Sequence, residues 1–459
     1  MTRRFHRILL TLVVVWPMAQ TSAAADRPAR DLAAGKAAYE QSCARCHGAT
    51  GAGDGVDAKR FYPRPRDLTV GVYKFRSTAS GTPPTDEDLF QTITRGLPGS
   101  NMPDWQHLSE ATRWQLVEYL KSLSSVFEQT APELVPVAPD PGAARADLTK
   151  GKAVYAQLGC ASCDGPQGRA NGSSAATLVD DWGKPIRPAN LTQGWNYRGQ
   201  NAPGDIMLRV LTGIDGAGMP SYTGAVSPDD AWHLAYYVAS LQEPPRWHLV
   251  ARAGRTTGPL PQTADDPRWE TAERTDLRLR NAVSAEGEWV ESPTVDAVSV
   301  RVLVNDEAAA FRVAWDDASE ESTAAPDALA LFLKPSGGAG DVVTLQAWPY
   351  QGAPPLDACY WSAGRTEAFE LLAATTEEMV ERRGLSVALS SAASYHEGGW
   401  QLVVQRPRRL TSPAGAAVLD PEVFGSVAVA VWDGANPGAR AVSPWIDLAF
   451  PPQEQKARH

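Results

Sequence analysis

Two thiols and an imidazole fall within five residues at Cys43-Ala44-Arg45-Cys46-His47. This C-x-x-C-H spacing attaches a c-type haem: the thiols add across the porphyrin vinyl groups, and the adjoining imidazole is held over the iron. Met102, in the run Ser100-Asn101-Met102-Pro103, lies 55 residues after His47 and offers a thioether for the opposite axial position. Cys43 and Cys46 are therefore candidate attachment points, with His47 and Met102 as candidate axial ligands. A zinc knuckle would need a second ligand pair, which does not follow.

The flanking residues supply elements to position these groups. Asp31–Tyr39 has helix-forming residues with apolar positions about one turn apart, leading into the motif. Gly48–Gly55 is glycine-rich loop, and Arg64–Thr69 is an irregular segment expected to wrap the haem edge. A second helix is predicted over Asp86–Arg95, capped by Thr85 and stopped by Gly96. Ser109 caps a third over Glu110–Leu123, where Trp114, Leu116, Val117 and Leu120 recur at helical spacing. Three helices around C-x-x-C-H and a late methionine resemble a class I cytochrome c domain, over about residues 31–125. Proline-rich residues 126–146 read as a semi-extended linker.

The same module then returns. Gly35-Lys36-Ala37-Ala38-Tyr39 recurs as Gly151-Lys152-Ala153-Val154-Tyr155, and Cys43…Cys46 as Cys160…Cys163. Pro65…Leu68-Thr69 recurs as Pro188…Leu191-Thr192, and Met102-Pro103 as Met219-Pro220. Residues 147–243 are thus a second, degenerate cytochrome c-like domain. It departs at one position: Asp164 stands where His47 stood. A carboxylate is a hard, anionic substitute for imidazole on a low-spin iron. Three readings stay open. The domain has lost its haem and kept its fold, with Cys160 and Cys163 oxidised; or haem is attached, with Met219 and an unusual or missing proximal ligand; or Asp164 is a single-codon variant. His233, the counterpart of Gln115, reads as a surface or packing residue.

Beyond Pro244-Pro245 and a Gly/Thr/Pro-rich loop, short alternating segments replace helices. Strands are predicted at Val298–Val304, Phe311–Trp315, Ala328–Leu333, Val342–Trp348, Leu385–Leu389, Trp400–Gln405, Ser426–Trp432 and Trp445–Phe450, with one helix over Glu367–Arg383. Two all-α domains followed by an all-β sandwich is the fold class expected, with the sandwich over residues 265–451. The stretches Phe311-Arg-Val-Ala-Trp-Asp-Asp317, Ala328–Pro335, Gln346-Ala-Trp348, Ala428-Val-Ala-Val-Trp-Asp-Gly434 and Ser443-Pro-Trp445 resemble the haem b-binding subunit of ethylbenzene dehydrogenase and related type II molybdenum enzymes. That resemblance implies a b haem held by Met and Lys, and a molybdopterin oxidoreductase as partner. Here Met379 is the domain's only methionine, and Arg440 replaces the lysine. Arginine has no lone pair to give iron, so no b haem is expected. Cys359 reads as a half-buried small residue. Trp289, Trp315, Trp348, Trp361, Trp400, Trp432 and Trp445 could form a core or a stacking surface for a docked ligand.

Composition sets the outer limits. The 459 residues carry 43% hydrophobic side chains and a formal charge of -10, and no basic aromatic patch suggests nucleic-acid binding. A basic Met1–Arg7, an apolar Ile8–Trp16 and small residues at Ser22–Ala25 form a signal peptide over 1–25, so the mature chain is expected in the periplasm without a transmembrane segment. The expected function is single-electron transfer by an exported c-type cytochrome serving a redox partner, which the resemblance of the sandwich implies is a molybdenum oxidoreductase. Full axial ligation leaves no open iron position, so the protein is read as a non-catalytic subunit. The alternative is a docking or ligand-binding sandwich that carries a cytochrome.

Overall fold

A computed structural model of the chain describes residues 29–180, 183, 186–281, 295–334, 356–373, 379–381, 389–408, 425–435 and 440–451. The first module contains α1 (Leu32–Ser42), α2 (Ala44–His47), α3 (Asp86–Arg95), α4 (Glu110–Ser122) and a short α5 (Val126–Gln129). Asp31 caps α1 through Ala34 N–H, and Thr85 forms a capping box with Asp88 on α3. Each cap is worth about 1 kcal/mol. α1 crosses α4 at Gly35, where a Cβ would lie 2.2 Å from the Gln115 carbonyl oxygen. Only glycine allows that approach. Tyr39, Leu68, Leu89, Phe90, Ile93, Leu116 and Val117 form the core around this crossing.

The second module repeats the design with α6 (Leu148–Gln157), α7 (Ala161–Asp164), α8 (Pro203–Thr212) and α9 (Pro228–Ser240). Gly151 again meets a carbonyl, that of His233, with a Cβ position 2.2 Å away. His233 Nδ1 accepts the Asp147 backbone N–H at 3.0 Å, which fastens the start of α6 to α9. The residues between the modules lie in an ordered strap rather than a loose linker. Val135 N–H donates to Ser77 O and Ala79 N–H to Glu133 O, while Trp232 Nε1 donates to Ala138 O. Once its backbone groups have partners on both modules, the proline-rich segment is no longer a free spacer.

Arg76 pins the two modules together. It is 1% exposed, donates to the carbonyls of Tyr73 and Thr212 at 3.1 and 3.0 Å, and pairs with Asp215 at 2.9 Å. Removing one partner of such a buried pair typically costs about 3–5 kcal/mol.

Apart from a short 3-10 turn at Pro267–Thr271, the C-terminal part has only strands among its described elements. In chain order it has β1 (Val250–Arg252), β2 (Gly254–Arg255), β3 (Thr275–Arg278), β4 (Arg280–Asn281), β5 (Ala297–Val304), β6 (Ala308–Asp316), β7 (Ala328–Lys334), β8 (Leu356–Ser362), β9 (Phe369–Ala373) and β10 (Met379–Glu381). β11 (Ser390–Tyr395), β12 (Gly399–Pro407), β13 (Gly425–Trp432), β14 (Arg440–Val442) and β15 (Ile446–Ala449) complete it. One sheet runs β1-β15-β13-β7-β8-β9-β10, with β14 beside β13 and β4 beside β14; the other runs β11-β12-β6-β5-β2, with β3 beside β5. Val300, Phe311, Val313 and Leu402 from one sheet meet Leu329, Leu331, Val427 and Val429 from the other in a shared core.

Two expectations are corrected here. The segment predicted as a helix over Glu367–Arg383 contains β9 and β10, paired antiparallel with each other, and β9 pairs with β8. Its Ala, Glu and Leu content favours helix, but ladder partners on an existing sheet outweigh propensities of tenths of a kcal/mol per residue. Of the two readings of the tryptophans, Trp315, Trp361 and Trp400 take the core. They are 3–5% exposed and pack on one another in the core, Trp315 stacked on Trp400 and Trp361 edge-to-face with Trp400 at a centroid distance of 4.9 Å. Cys359 is fully rather than half buried, at 2% exposure. Val342–Trp348, Trp289 and most of Leu385–Leu389 lie outside the described residues.

Candidate haem centre

His47 ends α2, with Cys43 at the N-cap and Cys46 one residue before it, so a single helical turn brings both thiols and the imidazole together. The loop after α2 folds back through Gly53 N–H to His47 O at 2.8 Å and Gly55 N–H to Cys46 O at 3.2 Å. His47 Nδ1 lies 2.9 Å from Arg66 O, so that nitrogen carries the proton and donates. Nε2 has no hydrogen-bond partner among the described residues. Burial, with the Arg66 charge, lowers the His47 pKa. The imidazole is therefore neutral at pH 7, oriented by a carbonyl, and free at the ring nitrogen that binds metals. The predicted wrap at Arg64–Thr69 supplies that carbonyl. Burial and the neighbouring Cys46 push the Cys43 thiol up to about 12.

Met102 lies in the turn after α3, where Leu97 N–H donates to Met102 O and Met102 N–H to Ser100 Oγ. Three buried polar atoms of this module, Tyr73 OH, Trp105 Nε1 and Arg113 Nε, have no hydrogen-bond partner among the described residues. Sequence spacing does not single them out; only their burial without acceptors does. A buried orphan donor costs about 1–3 kcal/mol unless a ligand satisfies it. An anionic, porphyrin-sized group between His47 and the Met102 loop would supply acceptors. The donor set of the first module fits a c-type haem.

The second module copies this scaffold almost bond for bond. Tyr155 OH donates to Gly165 O at 2.7 Å as Tyr39 OH does to Gly48 O. Ala170 N–H meets Asp164 O at 2.8 Å, Gly172 N–H meets Cys163 O at 3.1 Å, and Ile214 N–H meets Met219 O at 3.0 Å. Asn190 Oδ1 accepts from Thr192 N–H and Oγ1 just as Asp67 does from Thr69. Met219 and Cys160 both pack against the core of this module. The axial chemistry differs, because burial raises the Asp164 pKa to about 7. Around it, Tyr197 OH is satisfied by Leu191 O at 2.8 Å, and Tyr222 takes the place of Trp105, its N–H bonded to Val210 O as that of Trp105 is to Ile93 O. The thiol spacing still suits haem attachment, but the proximal donor set does not suit a low-spin iron.

Among the sandwich residues discussed for a b haem, Arg440 starts β14 opposite Trp432, and burial lowers its pKa to about 10. Met379 opens β10.

Known proteins resemble the helical half. Residues 30–120 and 146–238 each match the family described as cytochrome C oxidase, cbb3-type, subunit III. Two curated relatives are 28% identical: a Cbb3-type cytochrome c oxidase subunit FixP from Azorhizobium caulinodans, over 46% of this chain and 59% of the relative, and a subunit CcoP from Azospirillum, over 46% and 62%. The chain thus spans about 60% of the length of the curated relatives it matches. A chain of the Kuenenia stuttgartiensis reducing HAO-like protein complex is 42% identical over 46% of this chain and 96% of its own, with a TM-score of 0.44. The two helical modules are cytochrome c domains, and haem c is the cofactor they imply. No helix among the described residues is long and apolar enough to cross a membrane.

Proposed function

We propose that the protein passes single electrons through one c-type haem in the first module, attached at Cys43 and Cys46 and ligated by His47 Nε2 and Met102. When bound, that haem supplies a reversible one-electron couple whose potential a thioether ligand raises. The observation that carries this reading is the His47 imidazole, buried, neutral, and held by Arg66 O with Nε2 left open. The chain's own groups orient the ring, present Tyr73 OH and Trp105 Nε1 as donors, and exclude water around the ligands. Two protein ligands leave no position for substrate, which supports transfer rather than catalysis.

On this reading the second module is a docking body without a low-spin haem. Arg76, Asp215 and Arg209 hold it to the first module, and Arg169 and Asn190 bind Asp316 of the sandwich at 2.7 and 2.6 Å. Export to the periplasm rests on the sequence of residues 1–25, and a molybdenum oxidoreductase partner rests on the sequence resemblance of the sandwich.

Intact mass of the mature protein, with a pyridine haemochrome spectrum, tests the assignment. One covalent haem and no b-type signal are expected. A stoichiometric b signal, or no covalent haem at all, would overturn it. Met102→Ala should keep the haem and shift its potential and spectrum; unchanged values would remove Met102 as ligand.

A further inference from the structure

Four carboxylates converge at the end of the sandwich that faces the second module. Asp317 follows β6, Glu321 lies in the succeeding loop, Asp327 precedes β7, and Asp433 follows β13. One oxygen from each lies within 4.8 Å of the others. Asp317, Asp327 and Asp433 are 2%, 0% and 0% exposed, and only Glu321 reaches toward solvent.

The charges in this site do not balance. Arg187 of the second module pairs with Asp433, while Asp317, Glu321 and Asp327 have no ion-pair partner among the described residues. Burying unpaired carboxylates costs several kcal/mol each. Protein donors already meet part of the cluster. Asp327 accepts Gly434 N–H at 2.8 Å, Glu321 N–H at 2.9 Å and Trp400 Nε1 at 3.0 Å. Asp317 Oδ1 accepts Ser319 N–H at 3.3 Å and Asp433 Oδ1 accepts Ala435 N–H at 2.8 Å, but Asp317 Oδ2 and Glu321 Oε2 are buried oxygens without a hydrogen-bond partner among the described residues.

Oxygen-only ligation, a high negative charge and residual open acceptors match a hard divalent cation. Calcium takes oxygens at about 2.4 Å, so any two of its ligands lie within about 4.8 Å of each other; magnesium, at about 2.1 Å, demands a tighter and more regular shell. We propose that Asp317, Glu321, Asp327 and Asp433 bind one calcium ion, which ties the two sheets together and fixes the seat of Arg187. Without such an ion, burial and the neighbouring Asp433 and Asp327 push Asp317 up to about 8. The site is independent of the haem assignment.

Calorimetric titration of the full-length, haem-loaded and chelator-treated protein with calcium chloride tests this. One calcium per chain is expected, together with a rise in unfolding temperature and no change in the haem spectrum. Asp317→Asn and Glu321→Gln should each weaken calcium binding about tenfold or more. Glu321, being part-exposed, keeps the test usable if Asp317→Asn does not fold. A folded wild-type protein showing neither calcium uptake nor a thermal shift would overturn the proposal, as would variants that bind calcium like wild type. Magnesium binding equal to calcium would overturn the choice of ion. If Asp317 is simply a protonated acid, Asp317→Asn will be at least as stable as wild type and insensitive to calcium, which also refutes the site.

Discussion

The two helical modules share a backbone and differ in one ligand. In each, a glycine lets two helices touch, a tyrosine hydroxyl closes the loop after the second cysteine, and a methionine carbonyl accepts from the backbone N–H five residues before it. Yet the first ends its motif on His47, with buried donors waiting at Tyr73 and Trp105, and the second ends on Asp164, with its tyrosine already satisfied. The backbone design is thus the same where the residue at the proximal position is not.

The sharpest way to break the comparison is to exchange the ligands. His47→Asp should abolish the low-spin spectrum of the first module, and covalent haem should fall by an order of magnitude or more on intact mass. Asp164→His should add a second haem to the mature chain. If His47→Asp retains a low-spin haem, Asp164 is no obstacle and the modules are chemically equivalent.

Acidity gives the next effect. The folded pKa of Asp164 is raised to about 7, above the roughly 3.9 of an unfolded aspartate. Folded protein therefore holds a proton the unfolded chain has lost. The stability this contributes is complete below about pH 4 and is lost as pH rises through 7, some 4 kcal/mol in all. Asp164→Asn should flatten that slope in pH-dependent urea unfolding of the second module. His47 runs the opposite way: its pKa is lowered, so an unligated first module weakens as pH falls below the ordinary histidine value. A second module that is most stable at pH 8 would contradict the burial of Asp164.

Gly35→Ala and Gly151→Ala should destabilise their modules equally, by about 1–3 kcal/mol, because each new Cβ meets a carbonyl at the same 2.2 Å. Unequal losses would show that the helix crossings are not equivalent. The smallest expected effect concerns the third element. Thr85→Ala should cost the first module about 1 kcal/mol through its capping box. The matching Ala202 makes no side-chain cap, with Pro203 at the first turn instead, so Ala202→Ser should gain a few tenths.

Much of this could be read locally. Asp86–Arg95 emerges with the bounds its cap and stop residues dictate, because Thr85, the acids of the first turn and Gly96 act within the helix itself. C-x-x-C-H, its repeat and the break at Asp164 are likewise visible as spacing. The misread segment at Glu367–Arg383 shows the limit of that approach: composition favours helix, and only the neighbouring strand β8 makes it sheet. The same limit hid Trp105 and Tyr73, whose unpartnered burial belongs to no motif.

The sequence by itself determined the ligand types, the duplication, the loss of one imidazole and the change from helical to alternating patterning, since each depends on residue identity or short-range period. Tertiary structure decided what contacts between distant segments decide. It made the proline-rich segment a strap, because Ser77 and Trp232 offered it hydrogen bonds. It sent three tryptophans into the core, because two sheets closed over them. It also gathered four acids from two separate stretches, the β6–β7 connection and the end of β13, into one charged site, since only the packing of β6, β7 and β13 brings these together.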